Sequence, residues 1–359
     1  MKALKRILKI LAYVVTGIFL LAIIIAGFTQ TKFFKDRLRV ILVSEISTQI
    51  NGSLYLGTIR GNFITGFTVD SAAIYSGEDH FFSSGKIVVR YDPFTLTRQI
   101  LTIKNIIIER PTINFSRKEG RGWNTGRLFR PSSDTSSGEF KWKIILEDLE
   151  LKNASISLVD SEAIIAEYHS PLLAGEVEYH NFTLKDLNLK MRAQLVRDNY
   201  SATIEHLSFY SEKPEFQLTH FTGSYLLTDK GLSAKNMIIQ TGHSYIEIDA
   251  KLRGVNIFEG IDLPMLRNDS TELRFSGKNI DFNELKSFLP PVAFLEGAAS
   301  VDLDVEGKFG DLAIQRLNVR TLSTSLNLAG KFQNLHDPKN LSMDIFIGDS
   351  KIKPSDAAA

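Results

Sequence analysis

The stretch Tyr245–Leu252 has the sequence YIEIDAKL, in which apolar and charged residues alternate along the segment. The stretch Ser300–Glu306, with the sequence SVDLDVE, shows the same alternation. Successive side chains of an extended chain point to opposite sides. Each stretch therefore predicts a β-strand with one apolar side and one solvent-exposed polar side. Such strands are typical of antiparallel sheets that keep one face in water.

The same period of two residues continues through most of the chain after Gly52, and it predicts about twenty strands joined by short turns. Within Glu176–Met191 the alternation changes register once, near Asn181. The other predicted strands are Ser53–Arg60, Phe63–Tyr75, Lys86–Tyr91, Ile100–Glu109, Thr112–Arg117, Lys141–Lys152, Ala154–Asp160, Ser201–Phe209, Phe216–Thr228 and Leu232–Gln240.

Helices are rare in this part of the chain. The sequence predicts one short helix, Asp281–Leu289, with Asp281 as its N-cap and Pro290 after its end. Because parallel strands need long crossovers that are usually helical, a parallel α/β sheet is excluded. The predicted fold class is mainly β with antiparallel strands, and a sandwich, a barrel or one long sheet of solenoid type coiled on itself all remain open.

The segment Ile10–Phe28, ILAYVVTGIFLLAIIIAGF, has no charged residue and is long enough as a helix to cross about 30 Å of bilayer hydrocarbon. The basic residues before it resemble those of a signal peptide, but no A-x-A cleavage site follows. We therefore predict a retained transmembrane anchor with a cytoplasmic N-terminus. Its apolar residues are Ile10, Leu11, Val14, Val15, Ile18, Phe19, Leu20, Leu21, Ile23, Ile24, Ile25 and Phe28.

The segment Thr31–Ile50 is predicted to be an amphipathic helix that ends before Asn51-Gly52. Its apolar residues at helical spacing are Phe34, Leu38, Ile41, Leu42 and Ile46, and its charged residues include Lys35, Arg37, Arg39 and Glu45. Two interpretations remain open, because such a helix either lies on the bilayer surface or caps one end of a sheet.

Composition and motifs give no sign of an enzyme. The net charge of +1 with 23% charged residues does not indicate a nucleic-acid partner, and the absence of cysteine excludes disulfides and thiolate sites. The seven histidines have no zinc-site spacing, and no phosphate-binding loop or nucleophile elbow is present. The acidic sets Asp302, Asp304, Glu306 and Glu147, Asp148, Glu150 are interpreted as the wet sides of strands. We expect no catalytic residue, metal or cofactor.

Several segments together resemble the N-terminal region of the AsmA-like family, a group of bacterial envelope proteins that includes TamB. Besides the apolar segment and the amphipathic helix, these are Gly57–Asn62 (GTIRGN), Ser84–Pro93 (SGKIVVRYDP), Thr102–Pro111 (TIKNIIIERP), Gly120–Asn124 (GRGWN), Ile144–Asp160 (IILEDLELKNASISLVD) and Leu326–Leu335 (LNLAGKFQNL). TamB-type members are usually longer and end in a characteristic domain, so we expect this chain to be a fragment.

The resemblance implies a protein anchored in the inner membrane, with most of the chain in the periplasm and a long curved sheet whose concave face is an apolar groove. Such proteins are thought to conduct phospholipids between the two membranes; an older proposal is assistance in outer-membrane protein assembly. The implied division is a cytoplasmic tail (1–9), the anchor (10–28), the amphipathic helix (29–51), an AsmA-like β region (52–129), a Ser/Pro-rich linker (130–139) and a continuing sheet (140–359).

A groove for acyl chains needs an apolar strip on one side of many strands, and the alternating residues supply candidates. They are Val177, Tyr179, Leu184, Leu187, Leu189, Ile246, Ile248, Leu252, Val301, Leu303 and Val305. The alternative is that these residues fill the core of an ordinary sandwich. The scarcity of helices that could cover an apolar sheet favours the groove. The expected partners are phospholipids and the inner membrane, with an outer-membrane assembly protein as the alternative.

Overall fold

The computed structural model describes residues 16, 27–128, 142–163, 180–212, 215–256, 270–286, 295–308, 310–335 and 339–353. In these residues the protein is mainly β, with a 20-stranded, mostly antiparallel sheet and few helices. The predicted class is therefore confirmed in its β character and in its large sheet.

Most of the predicted anchor lies outside the described residues, which include only Thr16, Gly27 and Phe28 of it. In the part of the chain that the structure describes, no helix has both the length and the apolar character needed to cross a membrane. The predicted linker at 130–139 also lies outside the described residues.

The described residues contain twenty strands, and most consecutive strands are joined by short connections. In order they are β1 Ser53–Leu56, β2 Ile59–Asn62, β3 Gly66–Val69, β4 Ala72–Ser76, β5 Asp79–Ser84, β6 Lys86–Asp92, β7 Ile100–Glu109, β8 Thr112–Lys118, β9 Gly122–Trp123, β10 Lys143–Asp160, β11 Asn181–Val196, β12 Asn199–Glu212, β13 Glu215–Thr228, β14 Gly231–Thr241, β15 Tyr245–Arg253, β16 Ser270–Asp281, β17 Ala298–Lys308, β18 Asp311–Arg320, β19 Ser325–Gln333 and β20 Ser342–Ile347.

From β10 onward the sheet is a meander, in which each strand pairs with the next one along the chain. From β10 to β20 every neighbouring pair is antiparallel. Before β10, the pairs β1 and β2, β3 and β4, β5 and β6, and β7 and β8 lie end to end as halves of longer strands. Short turns between consecutive strands favour this order.

The single strand predicted at Phe63–Tyr75 is wrong in its bounds. The side-chain oxygen of Asn62 accepts the backbone N–H groups of Ile64 and Thr65, each at 2.9 Å, and this turn delays the strand until Gly66. The strand is then interrupted between β3 and β4. Side-chain to backbone hydrogen bonds of this kind compete with the strand conformation.

One junction in the sheet is parallel, and the sequence did not predict it. Strand β7 pairs with the first part of β10, and β8 pairs with its last part. A parallel pair needs a long crossover, which here contains β9, a short helix α2 (Asn124–Leu128) and the segment 130–139. Asn124 is fully buried in the crossover, where its Oδ1 accepts Ser116 N–H at 3.1 Å and its Nδ2 donates to Asn114 O at 2.6 Å.

Several strands contain an irregular residue in the left-handed conformation. Asn153, Asp186, Asn236 and Asn279 have φ of 52°, 52°, 52° and 50°, and each lies beside a shift in pairing register. Asn and Asp adopt this conformation more readily than other side chains. The register break predicted near Asn181 involves residues before His180 that lie outside the described ones, so it stays a prediction, and the shift at Asp186 between Leu184 and Leu187 is a separate one. Bulges of this kind bend a strand and increase its twist.

The structure gives the bounds of three helices and of a 3-10 turn at Pro93–Arg98. Helix α1, Lys32–Gln49, confirms the helix predicted at this place, and the Thr31 hydroxyl caps it by accepting Phe34 N–H at 3.2 Å. Helix α3, Phe282–Lys286, follows the predicted cap, because Asp281 Oδ1 accepts Asn283 N–H at 2.8 Å. The rest of the helix predicted to Leu289 lies outside the described residues.

Candidate functional site

One face of the sheet carries apolar side chains that stand opposite one another from strand to strand. On β15, Ile246, Ile248, Ala250 and Leu252 point to this face, since every second residue of a strand shares a side. The residues registered with them on the next strands lie on the same face. Following the pairing outward gives four rows, which together are called the apolar face.

Each row crosses the sheet at right angles to the strands. Row one is Ile59, Val69, Ile87, Ile108, Leu151, Leu189, Leu207, Phe221, Ile239, Ile246, Gly277, Val301, Val319 and Leu326. Row two is Phe67, Val89, Ile106, Leu149, Met191, Ile204, Gly223, Met237, Ile248, Phe275, Leu303, Leu317, Leu328 and Ile347.

The other two rows lie farther along the strands. Row three is Tyr91, Ile103, Leu146, Ala193, Ala202, Tyr225, Ala234, Ala250, Leu273, Val305, Ile314, Gly330 and Ile345. Row four is Leu101, Ile144, Leu195, Tyr200, Leu227, Leu232, Leu252, Thr271, Gly307, Leu312, Phe332 and Met343.

The four rows contain no charged residue. Neighbouring strands are about 4.8 Å apart, so the thirteen inter-strand steps of row one cover about 60 Å across the sheet. Alternate residues along a strand are about 6.7 Å apart, so the four rows are about 20 Å wide. The apolar face is therefore a long strip that runs perpendicular to the strands.

The sequence-predicted groove residues come together here. Leu189, Ile246, Ile248, Leu252, Val301, Leu303 and Val305 lie in the four rows. Leu187 and Leu184 lie nearer the start of β11, opposite Ala154 and Ile156. Val177 and Tyr179 lie outside the described residues.

The burial of these side chains differs from that of a closed core. Leu187 is 5% exposed and Val305 is 9% exposed, whereas Ile246, Ile248, Leu252, Val301 and Leu303 are only half-buried. The inner faces of a sandwich bury such residues against a second sheet. The described helices contact the first strands and the turn between β14 and β15, so they leave the middle of the apolar face uncovered.

The rows contain four glycines, and two of them, Gly277 and Gly223, have close side-chain neighbours. A Cβ atom on Gly277 would lie 2.2 Å from Cδ1 of Ile280, which is 4% exposed. A Cβ atom on Gly223 would lie 3.0 Å from the Tyr225 hydroxyl and 3.1 Å from Cγ of Met237. Neighbouring side chains therefore cover both glycines, and the apolar surface continues across them.

Two tyrosines of the apolar face have a raised pKa. Burial raises the pKa of Tyr225 and the pKa of Tyr91, with no charged neighbour as a cause. The Tyr91 hydroxyl donates a hydrogen bond to the Phe63 carbonyl at 2.8 Å at the rim. A phenolate is disfavoured where water is scarce, which is why partial burial of the two rings raises both pKa values.

The opposite face, called the polar face, carries charges that pair across the strands. Arg253 contacts Glu272 at 2.5 Å, and the hydroxyl of Ser276 donates to Asp302 at 2.8 Å. Glu306 accepts a hydrogen bond from Gln315 at 2.6 Å. Cross-strand pairs of this type stabilise a sheet. The partners of Asp302 and Glu306 agree with the interpretation of this acidic set as the wet side of a strand.

Two of the seven histidines lie side by side on the polar face. The Nδ1 atoms of His206 and His220 are 3.0 Å apart, and Nε2 of His206 is 3.1 Å from the Ser208 hydroxyl. Burial, then the nearby His220, lowers the pKa of His206. Among the described residues, no three histidine, aspartate or glutamate side chains come together as metal ligands. The pair could have been found from sequence only with the strand register in hand.

Comparisons of the chain with models of protein families, with curated proteins and with solved structures found no match. The geometry of the apolar face therefore carries the functional argument.

Proposed function

We propose that this protein is anchored in the bacterial inner membrane and conducts phospholipids toward the outer membrane along the apolar face. The observation that carries the proposal is the uninterrupted, uncharged register of apolar residues from Ile59 to Leu326. A path for acyl chains needs this continuity, because a single charged step would have to be desolvated each time a chain passed it.

The energetics favour acyl chains as the occupant. Each methylene group removed from water contributes about 0.8 kcal/mol, so ten methylenes on the apolar face contribute about 8 kcal/mol. One extended acyl chain spans about half of the roughly 30 Å hydrocarbon core of a bilayer. The apolar face is about 20 Å wide, so one such chain fits across it. Headgroups remain in water beside the strip, and no catalytic residue is required.

The proposed location follows from the sequence at the start of the chain. The uncharged segment Ile10–Phe28 would hold the chain in the inner membrane, with the sheet in the periplasm. Helix α1 and strands β1 and β2 then form the end of the sheet nearest to the bilayer. A sheet curved around its apolar face, with the bulges at Asn153 and Asp186 adding twist, would make the strip a groove.

Photo-crosslinking on adjacent residues tests the proposal. A benzophenone amino acid at Ile248 or Leu303 faces the apolar side, whereas the same group at Glu247 or Asp302 faces the polar side. We expect phospholipid adducts, measured by mass spectrometry of the full chain crosslinked in cells, at the first two positions only. Equal adducts on both faces, or none at the first two positions, would contradict lipid binding by the apolar face.

Charge substitutions on the apolar face test whether lipid binding needs its apolar character. Ile248→Glu and Leu303→Glu add a charge at half-buried positions, so we expect loss of lipid adducts with the fold retained. Leu187 is less suitable, since it is 5% exposed and a buried charge there would unfold the strand. The matched control is Ser233→Glu, which adds the same charge on the polar face opposite Lys251.

One observation favours a second function, assembly of outer-membrane proteins through β-augmentation. All six residues of β20 are exposed, and Met343, Phe346 and Ile347 are 56%, 72% and 58% exposed. An exposed strand edge is a template for another strand. Specific crosslinking of a benzophenone at Phe346 to an outer-membrane protein, with no lipid captured at Ile248, would favour this function over lipid conduction.

A further inference from the structure

Helix α1 carries apolar side chains that no other part of the described structure covers. No residue of the helix is buried, and Phe33, Val40 and Ile41 are 62%, 60% and 55% exposed. These residues are separated by seven and eight positions, so they lie on one side of the helix. The helix is packed only at its end, and an exposed apolar stripe of this kind marks a surface that binds a protein or a membrane.

The charge of the helix indicates what that occupant is. Helix α1 contains four basic residues and only two acidic ones, Asp36 and Glu45. The basic residues are Lys32, Lys35, Arg37 and Arg39. The Arg37 guanidinium lies 5.7 Å from the centre of the Phe33 ring, within the apolar stripe. A helix with an apolar stripe and an excess of basic residues is suited to a surface that is both apolar and anionic.

The helix is fixed to the first edge of the sheet by its C-terminal end. Ile50, directly after it, is 4% exposed, and Asn51 N–H donates to the Leu128 carbonyl at 2.6 Å. The helix also contacts β1 and β2, and Ile59 of β2 begins row one of the apolar face. Whatever binds the exposed stripe is therefore held next to the start of the apolar face.

We propose that α1 lies on the surface of an anionic phospholipid bilayer. Phe33, Val40 and Ile41 enter the boundary between headgroups and acyl chains, and the basic side chains bind lipid phosphates. This sets the first edge of the sheet against the headgroups. The proposal does not rest on lipid conduction, because membrane docking of α1 and acyl-chain binding by the apolar face are measured at different residues.

The experiment uses single labels, which the absence of cysteine makes simple. An environment-sensitive fluorophore is attached to Val40→Cys in the full chain, reconstituted into phosphatidylcholine bilayers with or without phosphatidylglycerol. The control is the same fluorophore on Gln315→Cys, an exposed position on the polar face. Lipids that carry a quencher near the headgroup measure contact with the bilayer.

We expect the label at position 40 to be quenched in the anionic bilayers, less so without phosphatidylglycerol, and the control label to stay in water. Replacing Lys32, Lys35 and Arg39 with Gln should lower the ratio of docked to undocked label by about fivefold per residue. High salt should have the same effect. Lys32 and Arg39 are exposed and Lys35 is half-buried, so we expect the fold to be retained, which circular dichroism checks.

Two outcomes would overturn the inference. A label at position 40 that stays in water in both bilayers means that α1 does not dock. A label that is shielded from water but not quenched by the lipids means that protein, such as a second copy of the chain, covers the stripe. Lipid adducts at Ile248 would remain informative in either case, so failure of docking is distinguishable from failure of the proposed function.

Discussion

The Cδ1 atom of Ile280 occupies the space beside Gly277, where a Cβ atom would lie only 2.2 Å from it. Gly277 stands in row one between Ile246 and Val301, so its missing side chain would interrupt the apolar face. Ile280 is 4% exposed and follows the left-handed residue Asn279, whose bulge turns the side chain back over the glycine. A bulge thus restores the continuity that a glycine would remove.

This contact predicts that Gly277→Val destabilises the protein by about 1–3 kcal/mol, the usual cost of overpacking. The added methyl groups meet both Cδ1 and Cγ1 of Ile280, at 2.2 and 2.8 Å from the new Cβ. Urea denaturation measures the effect. In the double variant Gly277→Val, Ile280→Ala most of the loss should disappear, and a loss equal to the sum of the single variants would contradict the contact.

Tyr225 should titrate later than an exposed tyrosine, because burial raises its pKa above the ordinary value of about 10. The unfolded state releases this proton at a lower pH than the folded state does. Neutral Tyr225 therefore stabilises the folded state below pH about 10, and this contribution is lost as the pH rises through the raised pKa. Tyrosinate absorbance is measured against pH in the wild type and in Tyr225→Phe, and the difference between the two curves is the titration of Tyr225. Bound lipid should raise the pKa further.

The control for this titration is Tyr245 on the same sheet. Its pKa is raised mainly by a hydrogen bond to Glu247 on the polar face, so lipid should leave it unchanged. If lipid shifts both tyrosines equally, or neither, then Tyr225 does not report on the occupant of the apolar face.

Glu284 joins helix α3 to the turn between β14 and β15. Burial opposes its ionisation, but hydrogen bonds from Ser244, Thr241 and His243 outweigh burial, and the pKa of Glu284 is lowered. The Ser244 and Thr241 hydroxyls donate at 2.6 and 2.5 Å. The stabilisation is complete above the ordinary glutamate value and is lost as the pH falls through the lowered value.

We therefore expect Glu284→Gln to cost about 1.5–3 kcal/mol at neutral pH, the range for hydrogen bonds to a charged group. The difference from wild type should shrink in acid, where Glu284 is protonated. Thermal unfolding at several pH values measures it. Glu296→Gln, outside this network, is the control; a pH-independent difference for Glu284→Gln would show that ionisation is not involved.

Asn124 should be essential for the parallel junction. Asn124→Ala removes a fully buried side chain and leaves the half-buried Ser116 N–H and Asn114 carbonyl without this partner, which costs about 1–3 kcal/mol for each group. Hydrogen exchange should then rise at β8 and at the adjoining half of β10, while β15 to β17 stay protected. Uniform loss of protection would mean that the crossover does not act locally.

The sequence predicted individual strands well where alternation is strict. Ile246, Ile248 and Leu252 share a face as expected, because the period of two is a local property of an extended chain. It failed where a side chain competes with the backbone, as Asn62 does in the turn before β3. The candidate residues also came from alternation, but burial separated the buried Leu187 from the half-buried Ile248.

By itself, therefore, the sequence determined that the chain forms many strands with one apolar side, and that helix α1 precedes them. The tertiary structure decided how those sides align, the parallel junction of β7 and β8 with β10, and the contact between His206 and His220. The physical reason is that register depends on hydrogen bonds between distant segments. A slip of one residue would turn every apolar side chain of a strand to the polar face.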